Sequence, residues 1–219
     1  MDSQERSVSA AADQTSGDDT VHSHQQSYAS EPGPDDMQRI LAIEQQLDTL
    51  DNKNLAVAFY GELISIYFNN GRTDQAAEVS GRMAAITKEI QDWKNAGDWF
   101  HQWMLTQDDA AKIHFFSKKS IEMYEEAIKV DPAQENIRTD MAVEYMRIGK
   151  PEVAIQHLEE VLDKNPDFLN ANYNLGLILY QMGKKDKSIS YLNRSSKLAE
   201  GSDYEAVIKD FLHKHEIHF

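Results

Sequence analysis

Apolar residues recur along this chain at intervals of three and four, and the whole pattern is written again 34 residues later. Shifting the chain by 34 residues places apolar residues on apolar residues: Met141 on Leu175, Ile155 on Ile189 and Leu158 on Leu192. Gly149 and Gly183 separate the two apolar stretches of each unit, and Asp-Pro or Asn-Pro precedes the next unit. Because Gly and Pro end helices, each unit is predicted to fold as helix, turn, helix, turn.

This pattern resembles the tetratricopeptide repeat, a 34-residue helix pair with the motif W-x2-L-G-x2-Y, then A-x3-F, then P. The best matches are Met141, Ala142, Tyr145, Ala154, Leu158 and Pro166, then Leu175, Gly176, Leu179, Ser188 and Leu192. Weaker copies contain Leu63, Tyr67, Gly71 and Ala76, then Trp93, Ala96, Gly97 and Phe100. The chain is similar to bacterial tetratricopeptide proteins over about residues 40–215. The resemblance implies an all-α fold: a right-handed α-α superhelix, a solenoid of antiparallel helix pairs.

The predicted organisation is an acidic tail over residues 1–36 and a repeat domain over residues 37–219. Within the domain we predict a leading helix at 37–50, units at 57–89, 90–134, 135–168 and 169–202, and a capping helix at 203–215. In the unit at 90–134 the second helix comes about eleven residues late, which indicates an insertion near residues 104–116. This insertion either forms a binding element or lengthens the second helix.

The tail is poor in apolar residues and rich in acidic ones. From Leu, Ile, Val and Phe it contains only Val8 and Val21, so it is predicted to be disordered. It has eight acidic residues and one basic residue, which gives −7 of the chain's net charge of −15. Acidic surfaces repel phosphate and anionic lipid, so neither nucleic acid nor the membrane is an expected partner. The tail either solubilises the array or folds back on its Lys and Arg residues.

Little in the sequence indicates chemistry. The chain has no cysteine and none of the common motifs for nucleophilic, metal-dependent or nucleotide-dependent enzymes, so we expect no catalysis and no cofactor. The histidines are clustered at His22 and His24, and at His213, His215 and His218, but we expect no metal site because the second group falls at a helix end. With no apolar leader or spanning segment visible, the cytoplasm is the expected location.

The resemblance implies that the first helices of successive units line a concave groove that holds a peptide. The side chains that would face this groove are Asn136, Thr139, Val143, Met146, Asn170, Tyr173, Leu177 and Tyr180, with Lys94 and His101 from the unit at 90–134. Asn136 and Asn170 would either bind a peptide backbone or cap helices. Only Lys94 and Arg147 could grip a terminal carboxylate, so an apolar or mixed peptide is expected.

Trp99 and Trp103 lie just before the insertion and are candidates for a secondary interface or for the core. The predicted function is a protein-interaction scaffold or adaptor that binds a peptide segment of a partner protein, in the assembly of a complex. The alternative is a structural component that forms homo-oligomers through an end helix or through residues 104–116.

Overall fold

Ten helices account for most of the residues that the computed structural model describes, which are residues 31–202 and 204–215. They are α1 (Pro34–Leu47), α2 (Lys53–Asn69), α3 (Thr73–Thr87), α4 (Ile90–Leu105), α5 (Ala110–Val130), α6 (Glu135–Arg147), α7 (Pro151–Lys164), α8 (Leu169–Gln181), α9 (Lys185–Leu198) and α10 (Tyr204–Lys214). No strand occurs among these residues. The predicted all-α class is confirmed.

The helices keep the 34-residue spacing of the sequence. The helices α6 and α8 begin 34 residues apart, at Glu135 and Leu169, and so do α7 and α9, at Pro151 and Lys185. Each helix packs mainly on its neighbours in the chain, and α6 also contacts α8 directly. The array is therefore stabilised by contacts within and between neighbouring helix pairs, as expected of a solenoid.

The turns between the first and second helices of three pairs have one geometry. In each, a glycine adopts a positive φ, with values of 71° at Gly71 and 74° at Gly149 and Gly183. The next residue donates its N–H to a carbonyl of the last helical turn, as Lys150 does to Tyr145 and Lys184 to Leu179, both at 2.9 Å. This is the Schellman motif, which glycine favours because it has no Cβ.

Small residues allow the two helices of a pair to approach closely. Ser120 Oγ donates to the carbonyl of Gly97 at 2.9 Å, and Ser188 Oγ donates to the carbonyl of Gly176 at 2.8 Å. A Cβ built on Gly97 would lie 2.4 Å from the Tyr124 ring. These glycines are therefore required by packing against the second helix rather than by an unusual φ.

The insertion predicted near residues 104–116 is divided between two helices. Relative to the later pairs, α4 ends about three residues late and α5 begins about seven residues early, while the loop between them remains short. Most of residues 104–116 is therefore helical. The insertion lengthens both helices of this pair rather than the second helix alone.

The first and last helices cover the ends of the array. Ile40 and Ile43 of α1 are buried in one cluster with Leu63, and Ile208 and Leu212 of α10 are buried against α9. Residues 34–36, which we assigned to the disordered tail, are helical because Pro34 suits a first helical position and Asp35 and Asp36 favour the positive end of the helix dipole. Residues 1–30 lie outside the described residues.

The glycine contacts generate the first prediction. We expect Gly97→Ala to lower the free energy of unfolding by about 1 to 3 kcal/mol, because the added methyl group overlaps the buried Tyr124 ring. Gly61→Ala in α2 is the matched control, since a Cβ there meets nothing within 4 Å and alanine favours helix by about 1 kcal/mol. Urea unfolding monitored by circular dichroism measures both, and a Gly97 variant as stable as the wild type would contradict the packing argument.

Candidate functional site

Successive first helices contact each other through one recurring pair of positions, which we call the contact ladder. Its four contacts are Phe68 with Trp99 (ring centroids 5.1 Å apart), His101 with Glu144 (Nδ1 to Oε1, 2.5 Å), Met146 with the apolar cluster containing Ile178, and Tyr180 with Phe211 (5.9 Å). They join α2, α4, α6, α8 and α10 in order. We call the surface formed by α2, α4, α6 and α8 the first-helix face.

The contact ladder uses side chains that the sequence assigned to a partner. His101, Met146 and Tyr180 were all predicted to face a bound peptide. In the structure each is partly buried against the next helix of the ladder. These residues therefore stabilise the array, and only their remaining exposed surface is available to a ligand.

One contact of the ladder is polar, and its buried partner was not predicted. The Glu144 side chain is fully buried; its Oε1 contacts His101 Nδ1 at 2.5 Å and Arg147 Nε at 3.6 Å. Among the described residues, no hydrogen-bond donor reaches its Oε2. Alignment of the units could have identified Glu144. It is an acidic residue at the ladder position that Trp99, Ile178 and Phe211 occupy in the other units.

Lys94 is already paired with carboxylates. Its Nζ lies 2.6 Å from Asp98 and 3.6 Å from Asp140, while the Tyr124 hydroxyl donates to Asp98 at 2.8 Å. Burial raises the pKa of the Asp140 carboxyl, and burial reinforced by the Asp98 charge raises the pKa of the Tyr124 hydroxyl. Lys94 is thus poorly placed to grip a partner's carboxylate.

The two repeated asparagines are at least partly exposed, whereas the threonine predicted beside them is buried. Asn136 is exposed and Asn170 partly exposed, each in the first turn of its helix, and neither side chain hydrogen-bonds to another described residue. They do not cap α6 or α8, since those helices have no side-chain cap. Thr139 is buried, and its hydroxyl donates to the Glu135 carbonyl at 2.8 Å, so it does not face a ligand.

A concavity on the first-helix face lies between α6 and α8. It has a volume of about 280 Å³ and is lined by Val143, Met146, Arg147, Asn174, Leu177, Ile178 and Gln181. Three of these residues were predicted to face a groove, namely Val143, Met146 and Leu177. Asn174 and Gln181 were missed, although they follow Asn170 at helical spacing. We call this concavity the α6–α8 pocket.

Comparison with known proteins identifies the family of one part of the chain. Residues 139–203 match the tetratricopeptide repeat family. This part of the chain, from α6 to the end of α9, belongs to that family. The ten described helices of the chain form the right-handed α-α superhelix that the sequence predicted, in agreement with the solved structures of this fold.

The similar structures of tetratricopeptide repeat type share little sequence with this chain. A crystal structure of MamA is 19% identical, with a TM-score of 0.54 over 74% of this chain and 86% of that one. A second MamA structure is 18% identical, with a TM-score of 0.53 over 84% and 88%. A human IFIT1 dimer with PPP-AAAA is 17% identical, with a TM-score of 0.61 over 79% of this chain and 40% of that one. No curated protein sequence matches the chain.

The first-helix face is partly covered at its carboxyl end by α10. Tyr173 lies edge-on to Phe211 with ring centroids 6.3 Å apart, and Tyr180 lies 5.2 Å from the His215 ring. Burial raises the pKa of the Tyr173 hydroxyl. The two tyrosines that the sequence offered to a peptide therefore form a contact between α8 and α10.

The tryptophans of the tetratricopeptide array have separate environments. Trp93 packs against the cluster of Ile121 and Tyr124, and Trp99 belongs to the contact ladder. Trp103 lies 6.2 Å from the ring of Phe116, beside a concavity of about 410 Å³ that also includes Phe115. Trp103 and these phenylalanines border the lengthened α4–α5 pair.

The described residues contain neither a candidate metal site nor a helix that could span a membrane. No group of His, Cys, Asp or Glu within residues 31–202 and 204–215 could hold a metal ion. No helix in the same part of the chain is long and apolar enough to cross a membrane. His22, His24 and His218 lie outside the described residues.

The polar contact of the ladder generates the second prediction. We expect His101→Leu to destabilise the array by about 3 to 5 kcal/mol, because it leaves the buried Glu144 carboxylate without its histidine. The double variant His101→Leu, Glu144→Leu should recover most of that loss, since it makes this contact apolar like the others. Thermal and urea unfolding of the wild type, the two single variants and the double variant completes a double-mutant cycle. If the losses of unfolding free energy in the single variants add up in the double variant, the two side chains are not coupled.

Proposed function

We propose that this chain is an interaction scaffold that binds a peptide segment of a partner protein in the concave groove on its first-helix face. The observation that carries the proposal is the α6–α8 pocket, which opens at the predicted groove positions Val143, Met146 and Leu177. Tetratricopeptide repeats act as protein-interaction scaffolds, which supports a protein partner. The role in assembly of a complex is part of the proposal.

The chemistry of the pocket favours an apolar side chain in an otherwise polar segment. Its lining consists of four apolar residues, Val143, Met146, Leu177 and Ile178, which we call its floor, and three polar residues, Arg147, Asn174 and Gln181, which we call its rim. Its volume of about 280 Å³ lies at the lower limit of small-molecule sites, which suits one anchoring side chain rather than a cofactor. Burying one large apolar side chain contributes about 1.5 to 3 kcal/mol, and hydrogen bonds at the rim add to it.

Asn136 and Asn170 extend the proposed site towards the amino-terminal ends of α6 and α8. A side-chain amide offers two donors and an acceptor, so it can pair with a peptide backbone whatever the peptide's sequence. The two side chains have no hydrogen bond to another described residue, which leaves their capacity available. We propose that they hold the backbone while the pocket selects the side chain.

Other classes of ligand fit the chain less well. The net charge of −15 opposes nucleic acid, because binding would bring acidic protein surface towards phosphate. We propose no catalytic role, since ionisable groups of the first-helix face are engaged in structural pairs, as His101 is with Glu144 and Lys94 with Asp98.

Self-association is the second candidate function, and one observation favours it. Phe115 is 51% exposed beside Trp103 and Phe116, on the α4–α5 pair that the insertion lengthens. Exposed aromatic clusters are common at protein interfaces. Under this alternative a second copy would cover the aromatic cluster, and the chain would form oligomers at micromolar concentration.

The third prediction tests the pocket with peptides selected from a displayed random library on the wild-type chain. We expect Val143→Glu to weaken their binding at least tenfold, about 1.4 kcal/mol, because it places a charge in the apolar floor. Val153→Glu on α7 is the matched control and should leave affinity unchanged. Fluorescence anisotropy measures the affinities, and circular dichroism confirms that both variants remain folded.

The outcomes separate the two functions. Equal affinity for the wild type and the Val143 variant would reject the groove. Sedimentation at concentrations of order 100 μM tests the alternative, because a strictly monomeric chain would reject self-association. Variants of Tyr173 and Tyr180 are unsuitable here, since both side chains stabilise the contact with α10.

A further inference from the structure

The turns after the first helices place a cation at the same position of three helix pairs. Arg72, Lys150 and Lys184 each follow a turn glycine, and each donates its N–H to the preceding helix at 2.8 or 2.9 Å. Because stacked antiparallel pairs bring equivalent turns to the same side, these cations lie along one edge of the solenoid. We call this side the turn edge.

The chain enters its described part at the turn edge. Glu31 lies 2.9 Å from Arg72 Nη1, so the first described acidic residue contacts the first cation of this edge. Asp36 further anchors the segment by accepting from the Asn70 amide at 2.8 Å, beside the same turn. The acidic segment of residues 1–30 is therefore connected to the array at one end of a row of cations.

Positive charge is concentrated at the other end of that row. Residues 183–198 contain five basic residues, Lys184, Lys185, Lys187, Arg194 and Lys197, and only one acid, in a chain with a net charge of −15. The three lysines at 184, 185 and 187 are exposed, and none forms an ion pair with another described residue. By contrast, Arg194 is paired with Asp167 at 2.9 Å.

A shallow concavity between α7 and α9 adds apolar surface to this charge. It has a volume of about 300 Å³; Lys184 and Lys187 line it, together with Ile155, Leu179, Tyr191 and the polar residues Glu159 and Ser190. The acidic segment contains the matching sequence Asp18-Asp19-Thr20-Val21, two carboxylates followed closely by an apolar side chain. The two carboxylates therefore complement the charges of Lys184 and Lys187, and Val21 complements the apolar lining of the concavity.

We propose that the acidic residues 1–30 of the same chain dock along the turn edge, with residues 18–21 on Lys184, Lys185 and Lys187. The segment is long enough. Twelve residues separate Glu31 from Asp19 and span up to about 40 Å when extended. Three repeat steps separate Arg72 from Lys184, and at about 10 Å for each step they require about 30 Å. Asp108 and Asp109 lie in the intervening α4–α5 loop, so contact is expected at Arg72 and, beyond this loop, at Lys150 and the lysines of the last repeat.

The proposed docking differs from competition for the groove. Lys184 and Lys187 belong to the turn edge and the second-helix side, whereas the α6–α8 pocket opens on the first-helix face. A docked segment would neutralise the basic surface of the last repeat and leave the groove open. This inference does not depend on the proposed peptide-binding function.

Zero-length carbodiimide crosslinking of the full-length chain tests the proposal. The reagent joins a carboxylate to a lysine amine only when the two are in contact, and mass spectrometry identifies each joined pair. We expect crosslinks from Asp13, Asp18 and Asp19 to Lys184, Lys185 and Lys187 at least five times as often as to Lys88 and Lys164. These control lysines are exposed as well, but they lie at the ends of second helices, on the opposite edge.

Two further arms complete the experiment. The full-length variant Asp18→Asn, Asp19→Asn should lower the crosslinks from Asp13 to Lys184, Lys185 and Lys187 severalfold, whereas Asp2→Asn, Glu5→Gln should leave them unchanged. Raising the salt to 1 M should reduce them severalfold, because the Debye length falls to about 3 Å. A mixture of ¹⁵N-labelled and unlabelled chains should give pairs of one isotope only.

Three results would overturn the proposal. Crosslinks spread evenly over all exposed lysines would show that the segment has no preferred surface. Absence of any crosslink from residues 1–30 would show that it does not dock. Pairs of mixed isotope would assign the contact to a second copy of the chain rather than to the same one.

Discussion

The contact between successive first helices determines both how this array is built and how much of the first-helix face remains exposed. A side chain on a first helix can pack on the next first helix or face a partner. A large residue at the ladder position packs mainly on the next helix. Phe68 on Trp99 and Tyr180 on Phe211 illustrate the choice. The open surface is therefore displaced towards positions such as Val143, Asn174 and Leu177, where the α6–α8 pocket lies.

The sequence predicted those features that depend on spacing. The 34-residue period and the small residues at Gly97 and Gly176 follow from close packing, and the glycines at three of the turns follow from a positive φ. Both constraints act within one helix pair. The direction of Tyr180 depends on α10, which comes some twenty-five residues later along the chain. Helical periodicity places a residue on a face, but it does not show whether another helix covers that face.

Glu144 shows a different limit. Its neighbours in sequence make it one more charged residue of a helix with charged residues at most turns, and the expectation for a glutamate is exposure. Only the superposition of units reveals that it occupies a ladder position otherwise held by Trp99, Ile178 and Phe211. Its burial against His101 sets a polar contact between α4 and α6, at the place where the lengthened helix pair joins the regular repeats. A buried polar pair there gives the junction a specific partner, since neither group pairs with the apolar residues of the other contacts.

The α6–α8 pocket and the turn edge differ in charge, so we expect them to respond differently to ionic strength. The α6–α8 pocket is mostly apolar at its floor, so binding there should depend weakly on ionic strength. The turn edge presents exposed lysines of the last repeat in an otherwise acidic molecule, and contacts with exposed charges weaken as salt rises. Salt therefore separates the two surfaces experimentally. We expect a ligand of the proposed groove to keep its affinity at high salt and a ligand of the exposed lysines to lose it.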